Sequence, residues 1–197
     1  MTKRIFDLLL SIIGLILLSP LFLIIACWIM ADSNGGIFYR QERVGLNGKP
    51  FRIHKFRTMI ENADKQGGLT IGKDNRITAS GEVLRYYKLD ELPQLIDVLL
   101  GKMSLVGPRP EIAELMALYP DDIRQKILSV RPGITDWASI KMIDENDILA
   151  QYENPHDAYI EHIMPQKARF YTEYVDNQSF LGDIKIILAT IKKIIKR

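Results

Sequence analysis

From Ile5 to Ala31 the chain is almost wholly apolar, IFDLLLSIIGLILLSPLFLIIACWIMA. Asp7 near its start and Asp32 just past its end bracket 24 residues without a formal charge. At about 1.5 Å of rise per residue, a helix of that length reaches across a bilayer. A secretory signal peptide fits poorly, because the run is too long and no small-residue cleavage site follows. The flaw is Ser19-Pro20, near the centre. Proline removes a backbone donor and crowds the preceding turn. Two forms follow: a kinked span, or a re-entrant hairpin of two short helices with both ends on one face. Lys3 and Arg4 favour a cytoplasmic N-terminus, yet Arg40 and Arg43 flank the other end. A hairpin satisfies both ends, with the Ser19 hydroxyl as a partner for a freed carbonyl. Length and charge alone leave both forms standing.

The chain has 197 residues, enough for one ordinary domain beyond this segment. Apolar residues make up 47%, ample for a core, and the net charge of +2 implies no strong nucleic-acid field. Cys27 is the only cysteine, so no disulfide forms within the chain, which suits a reducing compartment. His54, His156 and His162 show no metal-ligand spacing.

The stretch from Lys88 to Pro110, KLDELPQLIDVLLGKMSLVGPRP, concentrates the chemistry. Asp90 is placed as an N-cap, with Glu91, Leu92 and Pro93 as the first turn of a short apolar helix that Gly101 ends. Met103 to Val106 reads as a buried strand, and Gly107-Pro108-Arg109-Pro110 as a stiff loop presenting one guanidinium. Two carboxylates there suit a divalent metal, and an arginine suits a phosphate. The plainer reading is a cap that complements a helix dipole.

Before this stretch, Asn47-Gly48 separates two β-like runs, Ile37 to Arg40 and Phe51 to Phe56, a hairpin signal. Arg40, Arg43, Lys49, Arg52, Lys55 and Arg57 make it basic, either as a solvated face or as a site for anionic headgroups or phosphates. Glu61 to Gly81 reads as a loop and candidate lid. Glu82 to Tyr87 reads as a short helix. After it, Glu111–Tyr119, Asp121–Ser129, Asp144–Tyr152 and Ala158–Tyr174 read as helices, and 136–143 as a strand. Val130 to Thr135 is a second stiff, basic loop. The end, SFLGDIKIILATIKKIIKR, reads as a basic amphipathic helix, suited to an anionic membrane surface or to packing on the protein.

These pieces, in this order, resemble the monotopic phosphoglycosyl transferases among the bacterial sugar transferases. The resemblance rests on Ser19-Pro20, Gln41-Glu42-Arg43-Val44-Gly45, Lys55-Phe56-Arg57-Thr58-Met59, Arg76-Ile77-Thr78, Asp90-Glu91-Leu92-Pro93-Gln94, Gly107-Pro108-Arg109-Pro110 and Arg131-Pro132-Gly133-Ile134-Thr135. It implies an α+β, mainly helical fold. Residues 1–32 would form a re-entrant membrane hairpin broken at Ser19 and Pro20. Residues 33–197 would form a cytoplasmic catalytic domain on the bacterial inner membrane. It implies transfer of sugar-1-phosphate from a UDP-sugar to undecaprenyl phosphate, with release of UMP, at the start of surface-glycan assembly. Asp90 would be the nucleophile, Glu91 its partner, and both would hold Mg2+. Arg109, Arg57, Arg85 and Arg131 would bind phosphate or substrate. Membrane lipids are implied partners, and a homodimer is left open. The chain departs from the commoner pattern at Asp136-Trp137-Ala138-Ser139-Ile140-Lys141, at Arg57 and at Lys88.

Overall fold

The computed structural model describes residues 2–63 and 74–196. The elements run α1 (Thr2–Asp32), β1 (Phe38–Val44), β2 (Pro50–Phe56), α2 (Ala79–Tyr86), α3 (Gln94–Leu99), β3 (Ser104–Val106), α4 (Ala113–Ala117) and α5 (Asp121–Leu128). There follow β4 (Gly133–Thr135), α6 (Trp137–Lys141), α7 (Glu145–Leu149), α8 (Pro155–Ala158), α9 (Met164–Asp176) and α10 (Phe180–Ile195). The fold is mainly helical, as expected. The candidate lid is described only up to residue 63 and from residue 74 onward; the rest lies outside the described residues.

Helix α1 is one continuous element through Pro20, not two separate helices. The local chemistry explains this. Pro20 cannot donate to the carbonyl of Ile16, and the Ser19 hydroxyl donates to that oxygen instead at 2.8 Å. Both ends of α1 are bonded to the globular part. Lys3 Nζ donates to Asp183 at 2.6 Å, and Arg4 to the carbonyls of Val98 and Leu99. Buried Asp7 accepts from Ser104 Oγ at 2.8 Å. At the other end Asp32 accepts from Ser80 N at 2.8 Å, and Ile25 and Ile29 pack on Phe56 and Leu84. Between these anchors Ile16, Leu17, Leu23 and Ile24 are each 65–73% exposed, an apolar band with no protein cover.

Strands β1 and β2 form the expected antiparallel hairpin, with Phe38 opposite Phe56 and Val44 opposite Pro50. Its turn needs left-handed backbone, which Asn47 (φ 56°) and Gly48 (φ 76°) supply. Strands β3 and β4 pair in parallel, Ser104 with Gly133 and Val106 with Thr135. Their backbones meet closely at two glycines. A Cβ on Gly133 would sit 2.1 Å from Gly107 N, so no side chain fits there. This contact holds the Arg109 loop against the second basic loop.

The 136–143 segment is not a strand. Asp136 Oδ1 accepts from Ser139 N at 3.0 Å and caps α6, a cap signal that outweighed the mixed apolar pattern. Between α8 and α9, Tyr159–Ile163 forms a single π turn, closed by Met164 N bonding Tyr159 O and followed by Pro165. Its wider turn keeps Tyr159 and Ile163 both buried, in the main core with Leu115, Tyr119, Ile127 and Tyr171.

Candidate active site

The acid pair lies in a short 3-10 turn, Leu89–Glu91, rather than at a helix cap. Lys88 starts this turn in the left-handed conformation (φ 57°), and α3 begins only at Gln94, with no side-chain cap. The expectation that Asp90 caps the helix is therefore corrected. Lys88's backbone sets the turn apart, and Pro93 intervenes before α3. Nor does α3, with only six residues, offer a helix-end anion site. Charge at the site comes from side chains.

Glu91 is buried and fully engaged. Arg109 grips it bidentately, Nη1 to Oε2 at 3.0 Å and Nη2 to Oε1. Lys55 Nζ donates to Glu91 Oε1 at 2.7 Å. Burial alone would raise the Glu91 pKa; the fields of Arg109 and Lys55 and the Arg109 hydrogen bonds hold it well below the usual range. Asp90 is buried too, but its Oδ1 has no hydrogen-bond partner. Burial and then the neighbouring Glu91 charge push its pKa up, against Lys55, Lys88 and Arg85. The two carboxylates are thus driven apart, one locked as an anion and one left more basic, with one oxygen unpartnered.

Lys55 was missed as a site residue, since its hairpin read as a basic surface. Its place is fixed by the neighbouring residue. Buried Asp97 of α3 accepts from His54 N at 2.7 Å and lies 2.8 Å from His54 Nδ1, clamping β2 onto α3. Burial then lowers the Lys55 pKa, with Glu91 opposing. Arg43 belongs to the same basic hairpin, for which the sequence leaves open a solvated face or a site for anionic headgroups or phosphates. Arg43 reaches Pro110 O at 3.1 Å and lies 3.8 Å from Glu111. No spacing in the sequence announces either contact.

The remaining arginines divide. Arg85 contributes to the field at Asp90, and its Nε donates to Thr58 Oγ1 at 2.9 Å. Arg57 is not brought to the pair: its guanidinium donates to Ser33 O at 2.7 Å and to Asn34 O, tying down the chain leaving α1. Arg131 is not brought there either; its Nε donates to Gly101 O at 2.9 Å on the surface.

Glu91, Arg109, Arg43 and Lys88 line one end of a cavity of about 660 Å³. Asp90 is not on the cavity wall; Lys88 and Glu91, its neighbours in the turn, are. Apolar wall comes from Leu10, Ile13 and Gly14 of α1 and from Ile187, Ile191 and Ile194 of α10. Among the described residues no three His, Cys, Asp or Glu side chains cluster as a metal set. Mg2+ nonetheless takes one or two carboxylates and fills its shell with water and substrate phosphate. The unpartnered Asp90 Oδ1 fits that demand, whereas both Glu91 oxygens are already engaged.

The cavity thus joins a cationic end around paired carboxylates to an apolar wall continuous with a membrane-length helix. Residues 1–197 match the family model described as bacterial sugar transferase, and the chain belongs to that family. It is 37% identical over 206 residues to the exopolysaccharide production protein ExoY of Sinorhizobium fredii, covering 96% of this chain and 84% of that protein. It is 38% identical over 196 residues to the UDP-glucose:undecaprenyl-phosphate glucose-1-phosphate transferase of Escherichia coli, covering 97% of this chain and 39% of that one. It is 34% identical over 212 residues to the undecaprenyl-phosphate galactose phosphotransferase of Salmonella typhimurium, covering 99% and 40%.

Proposed function

We propose that this chain transfers sugar-1-phosphate from a UDP-sugar to undecaprenyl phosphate and releases UMP. The observation that carries the reading is the single cavity that joins a cationic end, Arg109, Arg43 and Lys88 beside Glu91, to apolar walls from α1 and α10. A pyrophosphate suits the first, and a lipid chain suits the second. The relatives' names supply the substrates: UDP-glucose and undecaprenyl phosphate for one, undecaprenyl phosphate for the other.

Asp90 is the nucleophile in this reading. Its raised pKa makes it a stronger nucleophile than an exposed aspartate, and its buried Oδ1 has no hydrogen bond to break once the Lys88–Glu91 turn uncovers it to the cavity. The carboxylate oxygen bonds to the β-phosphorus as the bond to the bridging oxygen breaks, and UMP leaves with that oxygen. An oxygen of the lipid phosphate then attacks the same phosphorus, breaks the acyl-phosphate bond and regenerates the carboxylate. No general base is required in either step, because both attacking oxygens are anionic. Glu91 holds Lys55 and Arg109 in place, and Arg109 and Lys88 offset the charge of the phosphates. Mg2+, held by Asp90 and, after rearrangement of its pairs, Glu91, would neutralise further phosphate charge.

Protein supplied with Mg2+, undecaprenyl phosphate and UDP-sugars is expected to release UMP, and Asp90→Asn to lose about 10³-fold or more of that rate. Turnover retained in the variant would rule out covalent catalysis by Asp90.

We further infer that α1 enters and leaves the cytoplasmic face of the inner membrane, making residues 1–32 a monotopic anchor. Its support is that Lys3, Arg4 and Asp7 at one end and Asp32 at the other bond the same globular part. In a Cys27→Ser background, cysteines placed at positions 2 and 35 should both react with reagent from the cytoplasmic side. Labelling from opposite sides would defeat the anchor.

A further inference from the structure

The cavity has a second polar region that the phosphosugar-transfer chemistry leaves unused. Lys167 Nζ lies 2.9–3.0 Å from both oxygens of Glu145, 3.6 Å from Glu111 Oε1, and donates to the Tyr159 hydroxyl at 3.4 Å. Tyr159 in turn donates to Glu111 at 3.2 Å, and its ring is covered by the Lys167 ammonium at 4.8 Å. Ser139, whose hydroxyl donates to Asp136 at 2.7 Å, lines the same cavity, as do apolar Ile112, Met142 and Ile143. Lys167 and Glu111 are buried, and Glu145 is 23% exposed at its side chain. All of these except Asp136 are cavity-lining. The region connects to the acid pair through Arg43, which lies 3.8 Å from Glu111.

Charge separates the two ends. Around Glu91 sit Lys55, Lys88, Arg43 and Arg109, an excess of cations. Around Lys167 sit the carboxylates of Glu145 and Glu111, and Arg43 lies 3.8 Å from the latter, so among the described ion pairs the charges there balance. A phosphate group meets an excess of cations at the first end and none at the second. A neutral ligand with several hydroxyls suits the second, where carboxylate acceptors alternate with an ammonium and two hydroxyls beside apolar side chains. A planar base is poorly served there: Tyr159 is the one aromatic side chain lining the cavity among the described residues, and Lys167 covers it.

We propose that Glu145, Lys167 and Ser139 form the subsite that reads the sugar hydroxyls of the donor. The inference rests on the phosphosugar-transfer reading above and adds to it which residues select the sugar. The donor then lies with its phosphates beside Arg109 and its hexose toward Glu145. A site that hydrogen-bonds a hydroxyl discriminates strongly against a donor that misplaces it, because the buried partner is left unpaired.

The test uses the full chain in membranes with undecaprenyl phosphate and four probes: UDP-glucose, UDP-galactose and their 2-N-acetyl counterparts. UMP release gives kcat/KM for each donor, and inhibition by UMP is measured in parallel. Glu145→Gln and, separately, Ser139→Ala are expected to change the ratio of kcat/KM between C4 epimers about tenfold or more while the UMP inhibition constant holds. Lys167 is left intact so that Glu111 stays paired. An equal loss for every donor, a ratio that does not move, or a change confined to UMP inhibition would overturn the proposal, the last placing the nucleoside there instead. If the wild type releases UMP from none of the donors, the parent reading falls and takes this one with it. Release in the wild type with unchanged ratios removes the subsite alone.

Discussion

The two ends of the cavity are both buried charge networks, yet they are built to opposite rules. At one end Glu111, Glu145, Lys167 and Tyr159 satisfy one another. At the other, Glu91 is saturated by Lys55 and Arg109 while Asp90 keeps a buried oxygen with no partner. A satisfied network rigidifies a core, whereas an unsatisfied buried acceptor raises the free energy of the folded state. The difference teaches where chemistry is stored. The closed network fixes the shape of the pocket proposed for the sugar, and the open one holds the oxygen proposed to react.

The sharpest way to break this contrast is to remove one member from each end. Lys167→Met leaves Glu111 and Glu145 without their shared cation, an expected loss of about 3–5 kcal/mol by chemical denaturation. Asp90→Asn removes a carboxylate whose charge is disfavoured by burial, so its melting temperature should hold or rise at neutral pH. Equal destabilisation by both would erase the distinction.

A subtler probe is pH. Asp90 is raised, so the proton it binds stabilises the folded state at low pH. That contribution is fully present below the usual aspartate pKa and is lost as pH rises through the folded value. Glu91 is depressed, so its contribution is present above the usual glutamate pKa and fades as pH falls. The Asp90→Asn variant should therefore lack the fall in stability that the wild type shows on the alkaline side of pH 3.8. UMP release should rise with pH over that window, with an apparent pKa that belongs to the pair. A stability profile identical in variant and wild type would contradict the raised Asp90.

Much of this was legible in sequence, and the reasons for the rest are physical. Asn47-Gly48 announced its hairpin because the turn demands left-handed backbone. Ser19 was identifiable as the partner for a carbonyl freed at Pro20, since the two requirements are local. The Asp90–Glu91 pair and Arg109 stood out, and the structure joins Arg109 to Glu91 directly. Lys55 did not stand out, because its burial depends on α3 closing over β2 through Asp97 and His54. Arg57 and Arg131 misled for the converse reason: a cation in a motif does not reveal whether it faces a substrate or a carbonyl of its own chain. The Glu145–Lys167 pair spans 22 residues across a π turn that no periodicity marks.

The central claim is a phosphosugar carried on Asp90. The direct test incubates the protein with Mg2+ and a UDP-sugar, omits the lipid acceptor, quenches, and measures the mass of the peptide containing residue 90. The expected result is an added phosphosugar on that peptide, removed when undecaprenyl phosphate is supplied and absent in Asp90→Asn. Product formed at the normal rate with no adduct at any quench time would contradict the account.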